Sequence, residues 1–168
     1  MVKRIVTDAV LAAVALVLFV IEAQIPPLVP IPGIKLGLAN IVTVWALMRI
    51  GAPDALGITL VRIALGSLFT GTVPSFIFSI SGGLFAFVAI LLLKKLLREN
   101  QIFVAGAVGA IFHNAGQLTA AAIMYGTASV FVWAPVLVLS GIVTGLFTGF
   151  IAQLLVKKVP KSIGARRN

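Results

Sequence analysis

From Ile102 to Val156 the chain carries no Asp, Glu, Lys or Arg, and Gly126-Thr127-Ala128-Ser129 is the only break in that run. A membrane-spanning helix needs about 20 apolar residues, so the run holds two spans joined by a turn. The rest of the chain is of the same kind. Hydrophobic residues make up 61% of the 168 and charged residues 10%, with a mean hydropathy of +1.20, far outside the soluble globular range. The expected fold class is an all-α integral membrane protein. Its apolar segments reach from about residue 5 to 156, so residues 1–168 form a single membrane domain with no second soluble domain.

Turn and cap signals divide the chain into six transmembrane helices, at about 5–24, 35–50, 54–71, 75–97, 102–125 and 130–156. Gly51-Ala52-Pro53 stops the second, and Asp54 is an N-cap candidate for the third. Lys3 and Arg4 precede the first apolar run as in a signal peptide, but Glu22-Ala23-Gln24-Ile25-Pro26 is a poor cleavage site, so a retained helix is expected.

Six spans put both termini on one side. With both termini cytoplasmic, that side collects Lys3, Arg4, Arg49, Lys94, Lys95, Arg98, Lys157, Lys158, Lys161, Arg166 and Arg167, the last five in a basic tail over 157–168. Lys35 is left outside and Arg62 within the membrane, in accord with the positive-inside rule. The net charge of +9 is thereby explained by topology, and nucleic acid is not an expected partner. Tyr125 and Trp133 fall at the outer interface, where amphipathic rings prefer to lie.

Between the first two spans lies Pro26-Pro27-Leu28-Val29-Pro30-Ile31-Pro32-Gly33-Ile34-Lys35. Prolines lack the N–H that a helix interior needs, so this is a stiff extended loop on the outer side. Being apolar, it is expected either to fold over the helix ends as a lid or to dip into the headgroups as a connector.

Polar groups inside a bilayer need a partner or a function. Glu22, Lys35, Asn40, Arg62, His113, Asn114 and Gln117 are the candidate substrate-binding residues. Arg62 lies about 12 Å of helix rise beyond Asp54, near the midplane. His113 and Gln117 share a helix face with Asn114 adjoining, and make either an interhelical hydrogen-bond lock or one wall of a polar pocket. Glu22 forms an ion pair with Arg62 or Lys35, or else orients those cations toward an anionic ligand. Gly141-x3-Gly145-x3-Gly149 and Ala9-x3-Ala13 are small-residue strips along which another helix can approach closely.

The motifs of soluble catalysis are missing: no Asp-rich diphosphate site, no glycine-rich phosphate loop, no GxSxG and no HExxH. With four acidic residues, one histidine and no cysteine, neither general acid/base chemistry nor a metal site is expected, no cofactor is implied, and the chain is not expected to be an enzyme.

Three motifs in order, Pro32-Gly33-Ile34-Lys35-Leu36-Gly37-Leu38-Ala39-Asn40, Arg62-Ile63-Ala64-Leu65-Gly66 and Phe112-His113-Asn114-Ala115-Gly116-Gln117, resemble the bacterial membrane family called component I of heptaprenyl diphosphate synthase, or the Gx transporter family. That family in turn is similar to the S-components of energy-coupling-factor transporters, six-helix proteins with an outward-facing pocket closed by loops. The resemblance implies a multi-pass protein of the bacterial cytoplasmic membrane that captures a small, anionic or isoprenoid- or cofactor-like ligand from outside. A T-component docked along Ala9 and Ala13, and separate ATPase subunits, would be the partners. The alternative it implies is a non-catalytic accessory subunit for polyprenyl diphosphate or quinone biosynthesis.

Overall fold

The computed structural model describes residues 2–24, 37–70 and 73–159, the side chain of Thr70 excepted. These fold into α1 (Val2–Gln24), α2 (Leu38–Arg49), α3 (Ala52–Thr70), α4 (Val73–Leu93), α5 (Ile102–Tyr125) and α6 (Ala134–Lys158), with a 3₁₀ turn over Ala128–Trp133, and no strand among the described residues. The expected all-α class is what the chain adopts. Val2–Gln24, Ala52–Phe69, Val73–Leu93, Ile102–Tyr125 and Ala128–Lys158 are each long and apolar enough to cross a membrane. Their outward faces are rich in exposed Leu, Val, Ile and Phe, which suits a multi-pass protein whose solvent is lipid. The proline-rich loop, Lys35 and residues 160–168 of the basic tail lie outside the described residues.

The second span is shorter than expected. Gly37 takes a left-handed conformation (φ 73°) outside the helix, which begins at Leu38. The 12 residues that remain rise about 18 Å, against a hydrocarbon core of about 30 Å. Instead of facing lipid, α2 buries Ile41, Val42, Val44, Trp45 and Leu47 in the core, against Ala12 and Ala15 of α1, Ile58 of α3, Phe87 and Ile90 of α4, and Val156 of α6. A helix apolar on every side is what such a central position requires.

The glycine strip of α6 packs inside the bundle, where backbones approach too closely for side chains. A Cβ at Gly106 of α5 would lie 2.3 Å from the carbonyl oxygen of Gly145, and one at Gly149 would lie 2.5 Å from that of Phe103. Close backbone contact of this kind replaces the hydrophobic drive that is missing between helices in lipid.

Polar contacts gather the charged helix ends at one end of the bundle. Arg4 of α1 donates to Asp54 of α3, so Asp54 is an ion-pair partner in the first turn; the helix begins earlier than expected, at Ala52. Lys94 donates to the Leu47 carbonyl near the end of α2, where cations complement the helix dipole. Burial pushes the Lys94 ammonium below its usual value. Arg49 lies 3.9 Å from Glu99.

Candidate functional site

The opposite half of the bundle holds a polar cavity of about 40 Å³, lined by all six helices. At about 15 Å³ per water it takes two or three waters, or the head of a small molecule.

Glu22, in the last turn of α1, is buried. One carboxylate oxygen accepts from the Gly37 N–H at 2.6 Å and the other from the Leu38 N–H at 2.9 Å. The first amides of a helix have no partner within it, and Gly37 has no side chain to supply one, so Glu22 caps α2 from another helix. It forms no ion pair with Arg62 within 4 Å, although its charge reaches Arg62 through space. Asn40 sits one turn into α2, where its backbone N–H bonds to the Gly37 carbonyl at 2.9 Å and its side chain lines the cavity.

Arg62 projects from the middle of α3 and is 4% exposed. Its Nε and Nη2 are buried and have no hydrogen-bond partner among the described residues. These two donors share one edge of the guanidinium, the edge that meets a carboxylate or phosphate with two parallel hydrogen bonds.

The α5 trio divides its duties. Asn114 donates to the Leu137 carbonyl of α6 at 2.7 Å; a Cβ at Gly141 would stand 3.1 Å from its amide nitrogen, so glycine there leaves room for it. The interhelical lock expected from the sequence is therefore present at Asn114, and the same residue also lines the cavity. His113 lies against Gly82 of α4, whose added Cβ would come within 2.9 Å of the imidazole. Gln117 lines the cavity, and its buried Oε1 has no hydrogen-bond partner among the described residues.

Six of the seven expected site residues thus surround one cavity, and the seventh, Lys35, lies outside the described residues. Sequence reading missed Phe19, Ser79, Thr144 and Thr148, which also line it. The threonines donate to carbonyls of their own helix, Ser140 at 2.9 Å and Gly145 at 3.3 Å. Such hydroxyls sit in apolar helices at little cost and carry almost no signal. Phe19 fits against α3 only because residue 66 is glycine: a Cβ there would lie 3.0 Å from its ring.

Ala9 and Ala13 are exposed on the outer face of α1, whose inner face buries Ala12, Ala15, Phe19 and Glu22. Among the described residues no three His, Asp or Glu gather as metal ligands.

Comparison with curated proteins and with solved structures gave no match. Over residues 11–155 the chain matches the family described as heptaprenyl diphosphate synthase component I. The match covers α1 from its third turn through nearly all of α6, and so takes in every residue around the cavity. The chain belongs to the heptaprenyl diphosphate synthase component I family.

Proposed function

We propose that the chain is the non-catalytic, substrate-binding membrane subunit of an energy-coupling-factor-type importer of the bacterial cytoplasmic membrane, and that it captures a small anionic ligand from outside in the cavity around Arg62. Arg62 carries this reading. An arginine at mid-helix in a membrane protein costs on the order of 3 kcal/mol. An arginine retained only for packing would have its donors satisfied, whereas Arg62, which lines the cavity, has two buried donors without a partner among the described residues.

The surroundings fit the role. Glu22, which lines the cavity, ties the end of α1 to the start of α2, on the side that the positive-inside rule would put outside. The exposed strip of Ala9 and Ala13 offers the T-component a docking face, and ATP hydrolysis would come from separate subunits.

The family description favours a second reading: an accessory component of heptaprenyl diphosphate synthase, bound to the synthase subunit through the basic cytoplasmic end. Affinity purification from native membranes separates the two. The importer reading expects a T-component and ATPases to co-purify; a prenyl synthase subunit in their place overturns it in favour of the accessory role.

A further inference from the structure

The chain has four acidic residues, all of them among the described residues, and each can be followed to its place. Asp54 accepts from Arg4. Glu99 lies beside Arg49. Asp8 stands on α1 within the field of Arg4 and Asp54, at the far end of the bundle. Glu22 has both oxygens engaged by the amides of Gly37 and Leu38. None of the four bonds the open edge of Arg62, which has no carboxylate partner among the described residues.

A second open group belongs to another residue that lines the same cavity. Gln117 Oε1 is a buried acceptor without a donor among the described residues, while the Asn114 amide nitrogen is already committed to Leu137. Buried polar groups are satisfied in almost all native structures, so two open donors and one open acceptor around one space describe the molecule that closes them.

Building on the binding role proposed above, we infer that the ligand presents to this cavity an oxyanion, carboxylate or phosphate, that meets Arg62 side-on, together with a neighbouring hydroxyl or amino group that donates to Gln117. The volume of about 40 Å³ accommodates such a head and little more, so any larger body of the ligand extends beyond the cavity. An oxyanion alone leaves Gln117 open. A neutral polar molecule leaves Arg62 without the charge-assisted pair that its geometry offers.

The test uses the full chain in lipid nanodiscs, with thermal stabilisation measured against four probes: glycolate (carboxylate with adjacent hydroxyl), acetate (carboxylate alone), inorganic phosphate, and ethylene glycol (hydroxyls without charge). Glycolate is expected to stabilise more than acetate and ethylene glycol not at all; a response to phosphate exceeding that to acetate would assign the oxyanion as phosphate rather than carboxylate. Arg62→Lys keeps the charge but loses the paired edge, and should weaken every anion on the order of tenfold. Gln117→Leu should bring glycolate down to the level of acetate and leave acetate unchanged. Native mass spectrometry of the same preparation separates the two levels of the argument. A neutral co-purified ligand, or ethylene glycol binding as well as glycolate, overturns the ligand class and leaves the binding role standing. No bound molecule and no response to any probe overturns both.

Discussion

Glu22 accepts a hydrogen bond from the backbone N–H of Gly37, 2.6 Å away, and so fastens the end of α1 to the start of α2 across the segment between them. The contact borders the cavity, because both residues line it. Removing its charge should loosen the entry to α2. Glu22→Gln retains one acceptor and is expected to lower stability by about 1 kcal/mol, and Glu22→Ala by about 2 kcal/mol. Thermal unfolding of the two variants beside the wild type measures this; equal midpoints for all three would dismiss the cap.

The α5–α6 seam predicts a contrast between glycines. Gly106→Ala places a Cβ 2.3 Å from the Gly145 carbonyl oxygen, where only backbone movement relieves the clash, and should destabilise by about 1–3 kcal/mol. Gly57→Ala meets nothing within 4 Å and sits inside α3, so it should be neutral or stabilising by up to about 1 kcal/mol. Denaturation in mild detergent reads both, and the reverse order would mean that the seam is not packed as described.

Asn114 carries a lock that is separable from the oxyanion contact. Asn114→Leu removes the donor to the Leu137 carbonyl and should cost about 1–2 kcal/mol of stability. Gly141→Ala, which crowds the same amide, should act in the same direction. A double-mutant cycle should give less than the sum of the two losses, and strict additivity would contradict a shared site.

Much of this was legible in the residues themselves. A single cation inside an apolar helix, as at Arg62, and an imidazole and amides one turn apart, as at His113, Asn114 and Gln117, stand out because hydrocarbon penalises them. The up-and-down order was legible in the basic residues, and the contacts of Arg4 with Asp54 and of Lys94 with Leu47 bring together the helix ends that charge had grouped. The role of Glu22 was hidden, since capping α2 depends on the fold returning Gly37 to the end of α1. The short, buried α2 was hidden as well: an apolar run reads alike whether it faces lipid or protein, and the left-handed turn at Gly37 leaves no trace in hydropathy. Thr144 and Thr148 escaped because a hydroxyl that bonds its own helix is unremarkable anywhere.

Lys94 gives the molecule a pH dependence of definite sign. Burial holds its folded-state value below the usual 10.5, so between that lowered value and 10.5 the unfolded chain binds more protons than the folded one. Stability from this site therefore rises with pH across that window and levels off above it. The wild type should gain on Lys94→Gln as pH is raised through the alkaline range toward 10.5. Unfolding midpoints of both proteins over that range report it, and a wild-type-minus-variant difference that falls with rising pH would contradict the burial of the ammonium.

The most direct test of the account is native mass spectrometry of gently purified wild type beside Arg62→Ala, with circular dichroism to verify that the variant is folded. The account predicts a small anionic molecule bound to the wild type and absent from the variant. A variant that keeps the same adduct, or a wild type that carries none, would contradict the claim that the open edge of Arg62 is there to hold a ligand.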